Sequence, residues 1–408
     1  MINIAAARQR ADWPEFSFYR PHPEVSALRA ALQDAHARLR ALLAPIEGER
    51  MQVPLLPILN PPLWELGHVG WFHEFWIHRH GDFALPSRLA GADALYDSAR
   101  VAHDSRWSLP LPTLEATHAY VDSILADTLA GLDAHAAAPG TPLDDALAYF
   151  VQLGVLHQDM HNEAAAYMWQ TLGYPAPPGA TDPGRLDAER GDLELAPARH
   201  LLGAPRGSGF VFDNEKWAHA VDLPAYAIAR RPVSNAQFAE FVEAGGYAQE
   251  KYWTEAGWAL RGSLGLAHPR YWRREGAGWS MRRFDEWVPL DPAAPVMHVS
   301  AHEADAWCRW AGRRLPSEAE WEHAATLHPG DFPLQRLWEW TASRFAPYPG
   351  FSADPYKEYS EPWFATEHRV LRGGSFVTPS RLIRTRWRNF YTPGRADFFC
   401  GFRSAALR

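Results

Sequence analysis

Residues 141–173 read TPLDDALAYFVQLGVLHQDMHNEAAAYMWQTLG. Threonine, proline and then two acids is the order of a helix start. Thr141 takes the N-cap, Pro142 the first helical position, and Asp144 and Asp145 the first turn, where the backbone dipole favours negative charge. Nothing breaks the pattern before Gly173, so one long helix is expected over 141–172. Working back from it, Pro23 opens a stretch rich in Ala, Leu and Arg that ends near Leu43. Residues 63–80 (LWELGHVGWFHEFWIHRH) repeat apolar residues at steps of three and four, and Thr113 caps a helix reaching about His135. Four long helices of this kind make an antiparallel four-helix bundle.

Beyond Gly173 the character changes. Residues 173–206 are dotted with Gly and Pro and read as a linker or a long irregular connection. From 207 onward short strands, Trp, Gly and turns dominate. Helices are expected at 234–244 (Ser234 as N-cap), at 300–312 (Ser300 as N-cap, Gly312 as stop), and from Ser317, with Glu320 completing a capping box. The fold class is therefore α+β: a helical bundle over 1–172, a linker over 173–206 and a mixed domain over 207–408.

Composition narrows the function. The chain has 408 residues, 47% hydrophobic and 22% charged, with a net charge of 40 − 48 = −8. That is a globular composition, and its acidic balance argues against nucleic acid as a partner. Apolar runs are too short for a membrane helix. Two cysteines, Cys308 and Cys400, give neither a disulfide framework nor a Cys-based metal site. With no secretory signal at the N-terminus, the expected compartment is a reducing cytoplasm.

The chemical signal is histidine. His157 and His161 lie four apart on a helix, one above the other on the same face. His68 sits inside the aromatic segment 63–77. Three imidazoles on facing helices suit Zn, Fe, Cu or Ni and leave coordination positions open. Glu163, two positions past His161, points elsewhere and suits an outer acceptor for a ring N–H. His73, His78 and His80 read as surface residues, and Cys400 as a buried thiol.

A resemblance sharpens this reading. Arg230-Arg-Pro-Val-Ser-Asn235, Arg314-Leu-Pro-Ser-Glu-Ala-Glu-Trp321, Leu337-Trp-Glu-Trp-Thr341, Leu371-Arg-Gly-Gly-Ser-Phe376 and Gly401-Phe-Arg403 resemble the formylglycine-generating-enzyme (sulfatase-modifying-factor) fold, a C-type-lectin-like architecture. The first half resembles a DinB-like four-helix bundle with its H-x3-H-x-E motif. In this order the two resemble the ergothioneine-type sulfoxide synthases (EgtB). These are non-haem iron enzymes that join a sulfur donor to the imidazole of trimethylhistidine (hercynine), with O2 as co-substrate.

The resemblance implies Fe(II) held by His68, His157 and His161. It implies Tyr356 as the catalytic phenol and Tyr359 as its partner, in a segment of the second half, so the active site is expected where the halves meet. Asn389, Phe390 and Tyr391 match the hercynine-contacting stretch. Arg106 and Met160 stand on the donor side. The departures are specific. The first-His segment, close to K-W-H-L-A-H in the family, is Leu63-Trp-Glu-Leu-Gly-His68 here. Residues 97–107 lack the arginine cluster that grips γ-glutamylcysteine. A neutral donor is thus expected, as in the selenoneine-synthase branch, which couples a selenosugar (1-seleno-glucose) to hercynine; Trp71, Trp107 and Trp363 suit a sugar. The alternative is a thiol, cysteine or γ-glutamylcysteine. The other classes weighed are a zinc hydrolase or thiol transferase on the same bundle and a non-catalytic sugar-binding module.

Overall fold

A computed structural model describes residues 13–137, 143–187 and 191–407. The chain divides into two compact units: residues up to Met168 with 206–212 and 353–358, and the remainder.

The first unit is helical: α1 (Val25–Leu43), α2 (Pro62–His73), α3 (Ala92–Tyr96), α4 (Leu114–Ala136) and α5 (Asp145–Leu172), whose last four residues group with the second unit. In α1 the buried Leu28, Leu32, Ala35, Leu39 and Leu42 follow steps of three and four, one apolar stripe. In α2 and the π-helical turn that prolongs it (Glu74–His78), every residue from Trp64 to Ile77 is buried. A helix buried all round is the centre of its unit. At Gly70 the neighbouring helix α4 comes so close that a Cβ would stand 2.8 Å from Val121. Asn162 of α5 donates to the Ala35 carbonyl of α1 (3.1 Å). Thr113 caps α4 as expected, accepting from Ala116 N–H. The expected start at Thr141-Pro142 lies outside the described residues; within them, the Asp144 carboxylate accepts from Leu147 N–H (2.9 Å).

The burial of α2 corrects the expectation for its histidines. His73 is buried, and His78 and His80 are half-buried, because the helix has no solvent face for them. His78 Nε2 pairs with the Thr128 hydroxyl (2.8 Å).

In the second unit, strands occupy the later part of the expected linker or irregular connection. Residues 192–195 form a strand paired antiparallel with 226–229, Asp192 opposite Ala229, in a sheet continued by 405–406 and 313–314. Leu193 and Leu195 alternate inward to the core, which glycine- and proline-rich flanks conceal in the sequence. Residues 198–202 pair with 219–223. A second sheet runs in the order 389–391, 369–372, 338–344, 400–401, and a third joins 272–275, 278–283 and 286–289.

Helices α6 (Asn235–Glu243), α8 (Ala301–Trp310) and α9 (Glu318–Leu327) start at the N-caps read as Ser234, Ser300 and Ser317, and each forms a capping box, which the sequence showed only at Ser317. α7 (Glu255–Ser263), capped by Thr254, was not anticipated. The core of this unit is charged as well as apolar. The fully buried Arg372 donates to Glu318 (2.8 Å) and Glu322 (2.9 Å), Arg388 donates to Glu318 (2.9 Å), and Arg403 grips Glu339 (2.7 and 2.9 Å). Both cysteines are buried and free. Among the described residues no helix is long and apolar enough to cross a membrane.

Candidate metal centre

The three histidines converge inside the helical unit. One ring nitrogen of each of His68, His157 and His161 lies within 4.8 Å of the others. The Nε2 atoms of His157 and His161 are 3.2 Å apart. Two imidazole nitrogens on one ion at ~2.1 Å stand about 3.0–3.4 Å apart, so this spacing fits shared coordination. Burial pushes His68 down to about 3, and pushes His157 well below the ordinary imidazole range, with the neighbouring rings adding to both effects. Both rings are therefore neutral at pH 7, the form that ligates a metal.

What fixes each ring is readable. His68 Nδ1 donates to the Tyr96 carbonyl (2.7 Å), which leaves its Nε2 lone pair free. Its face lies parallel to Trp64 at 4.7 Å. His157 stacks on Phe72 at 3.5 Å and 4°. His161 Nδ1 meets Glu65 Oε2 at 2.5 Å. Burial alone would raise the Glu65 carboxyl, but His161 beside it, with His68 and Asn60, holds it down at about 2. Glu65 was not singled out in the sequence; the available signal was a carboxylate one turn before His68 in a helix with no polar face. Glu163, expected in that outer role, is buried on α5. The donor set is three imidazole nitrogens with their other ring positions engaged or covered, and it fits an iron ion with open positions.

Gly67 sets the approach of Tyr96. A Cβ there would stand 2.2 Å from the Tyr96 ring. Gly67→Ala is expected to cost ~1–3 kcal/mol as an overpacked core position. It should also weaken metal binding, because Tyr96 carries the carbonyl that orients His68. Denaturant unfolding and a metal titration check the two effects separately.

Tyr356 is placed differently from expectation. Its segment, 353–358, belongs to the helical unit. Tyr19 Oη donates to Asp354 Oδ1 (2.5 Å) and ties the segment down. The Tyr356 ring is edge-on to Phe72 (4.9 Å) and to His157 (5.8 Å). It lines a cleft of about 390 Å³ with Trp71, Phe72, Phe75, Trp76 and Phe83. The charged residues of that cleft are Asp82, Asp97 and Glu358 against Arg100 and Lys357, so it has no cationic excess. Arg100 is paired with Asp97 (3.2 Å) and lies over Phe83.

The remaining candidates divide. Met160, half-buried, lies on α5 between the two histidine ligands. Arg106 faces inward, bonded to Asn60 (2.8 Å) and flat over Trp64 (4.0 Å). Tyr359, Asn389, Phe390 and Tyr391 lie in the second unit. There Phe390 stacks on Phe345 (3.9 Å) with Tyr359 edge-on at 5.7 Å, and burial raises the Tyr359 phenol. Asn389, Phe390 and Tyr391 are consecutive in a strand, so alternation turns Phe390 away from the other two. Tyr391 packs on Phe398 instead, under Arg395.

Comparison with known proteins agrees with this architecture. The Sulfatase-modifying factor enzyme 1-like domain family matches residues 189–336 and 335–407. Hercynine oxygenase of Mycobacterium tuberculosis is 33% identical, over 91% of this chain and 97% of its own. Hercynine oxygenase of Mycolicibacterium smegmatis is also 33% identical with the same coverage. Formylglycine-generating enzyme of Streptomyces coelicolor is 37% identical over 57% of this chain and 95% of its own. A match covering nine-tenths of the chain includes both units, so the chain belongs to the hercynine oxygenase family and is an oxidoreductase.

Proposed function

We propose that this enzyme uses Fe(II) and O2 to form a bond between the imidazole carbon of hercynine and the chalcogen of a second substrate. The observation that carries the reading is the convergence of His68, His157 and His161 with the Tyr356 ring beside them. The relatives favour sulfur as the chalcogen over the selenosugar expected from sequence, since hercynine oxygenases are what the chain resembles along its length. For a thiol R–SH the overall balance is R–SH plus imidazole C–H plus O2 giving the sulfoxide and one water. Both hydrogens leave in the water, and one oxygen stays on sulfur.

Iron, bound by the three histidines, would supply O2 activation and a site for the soft donor. The chain supplies the rest. His68 and His157, buried and neutral, would hold the ion together with His161. The aromatic residues that line the cleft with Tyr356 offer packing surfaces for a substrate beside it. Tyr356 exchanges a proton at its Oη with the reacting substrate, the role of a positioned general acid. The quaternary ammonium of hercynine suits an aromatic cradle. The buried free cysteines fit a reducing cytoplasm.

Donor charge separates two readings. A cleft without cationic excess, its one arginine already paired, suits a donor of low net charge. Cysteine meets that requirement better than γ-glutamylcysteine. The same observation keeps a neutral selenosugar as the second reading, because sugars pack on aromatic faces and need no arginine.

Tyr356→Phe tests the phenol. Coupling is expected to fall ~10²–10⁴-fold, the usual worth of a positioned proton donor. Oxygen consumption should persist as simple thiol oxidation, R–SH plus O2 giving the sulfinic acid. Product ratios by mass read this directly; an unchanged ratio removes Tyr356 from the chemistry.

A further inference from the structure

The three rings differ in what holds their outer nitrogen. His68 donates to a neutral carbonyl, of Tyr96. His157 Nδ1 has no partner among the described residues. His161 alone meets a carboxylate, Glu65. Glu65 is itself fixed, because its other oxygen accepts from Asn60 Nδ2 at 2.5 Å. The Asn60 amide is fixed in turn, since Arg106 Nη1 donates to its Oδ1 at 2.8 Å. An arginine can only donate, so the amide oxygen faces Arg106 and the amide NH2 faces Glu65. The relay Arg106–Asn60–Glu65–His161 therefore has one direction. Arg106 is anchored besides on the Val101 carbonyl and over Trp64, the ring that stacks on His68.

We propose that Glu65 is a positioning residue that fixes the tautomer and ring angle of His161, and that Arg106 holds Glu65 in place through Asn60. A carboxylate on Nδ1–H turns the Nε2 lone pair towards the other two rings and makes His161 the most electron-rich of the three donors. Arg106 thereby serves the metal side of the site instead of gripping a substrate.

This inference rests on the reading that the three histidines hold iron, and its test reads metal binding without substrate. Full-length wild type, Glu65→Gln, Glu65→Asp and Asn60→Ala are titrated with Fe(II) anaerobically against a coloured chelator. The midpoint potential of the bound Fe(III)/Fe(II) couple is measured on the same samples. Glu65→Gln should bind Fe(II) ~10–100-fold more weakly, the usual effect of losing such an outer partner, and its midpoint should rise. Glu65→Asp, which keeps the charge, should recover part of both effects, and Asn60→Ala should show a smaller change of the same sign. Wild-type affinity and midpoint in Glu65→Gln overturn the proposal. If that variant does not fold, unchanged values in Asn60→Ala overturn it. Equal Fe(II) affinity in wild type and His157→Ala would instead refute the three-histidine site, and this relay with it.

Discussion

Replacing His157 with alanine is expected to abolish coupling and to weaken Fe(II) binding by more than the ~10–100-fold that loss of an outer partner costs. His157 is the central case because its nitrogen is close to His161 Nε2 and its face is covered by Phe72, so nothing nearby can take its place. The alanine variant also leaves a cavity against Phe72. His157→Gln, which fills more of that space, separates ligand loss from packing loss. Both variants should lose metal and turnover, while the glutamine variant should unfold closer to the wild-type denaturant midpoint. Retained turnover in either variant would place the chemistry elsewhere.

The second large effect is on stability. Arg372→Ala is expected to destabilise the second unit by ~3–5 kcal/mol, the range for breaking a buried ion pair from one side. Arg372 is completely buried and donates to Glu318, Glu322, the Thr385 carbonyl and the Tyr348 hydroxyl. Its removal leaves Glu322, which is also buried, with His200 and the Gly203 amide as its remaining side-chain hydrogen-bond partners among the described residues. The contrast is instructive: Arg372→Met combined with Glu322→Gln removes both charges and should cost less than Arg372→Ala alone. Urea unfolding followed by tryptophan fluorescence measures both. A loss under about 1 kcal/mol for Arg372→Ala would mean that water reaches Glu322.

These buried charges also explain why the second half was recognisable. Glu318 and Glu320 belong to the Arg314–Trp321 motif, Glu339 to Leu337–Thr341, Arg372 to Leu371–Phe376 and Arg403 to Gly401–Arg403. Each makes a buried or half-buried ion pair. The motif residues hold the fold together, so they point to architecture more directly than to chemistry. The helix starts were legible for an equally local reason: Ser234, Ser300 and Ser317 satisfy backbone donors three residues away. His68, His157 and His161 were legible because helical spacing brings the last two onto one face and the first lies in an apolar run.

What was not legible is non-local. Residues 192–195 carry too few side chains to outweigh the glycines and prolines around them, and their pairing partner lies over thirty residues away. Tyr356 joins the helical unit through Tyr19, a contact spanning more than three hundred residues. Glu65 looks like an ordinary helical glutamate until α2 is seen to have no solvent face. Asn389, Phe390 and Tyr391 share a motif yet not a face, because strand geometry separates neighbours that a motif joins.

The most direct test of the central claim is product analysis after anaerobic Fe(II) reconstitution. Hercynine is offered with cysteine, γ-glutamylcysteine and 1-seleno-glucose together, oxygen is admitted, and products are read by mass, with His157→Ala alongside. The expected result is a hercynine–sulfur adduct, with cysteine preferred over γ-glutamylcysteine, formed only with iron, oxygen and intact His157. A dominant selenium adduct would replace sulfur by the second reading of the donor while keeping the site. No adduct of any kind, or an adduct formed equally by His157→Ala, would contradict the assignment of the three histidines to this chemistry.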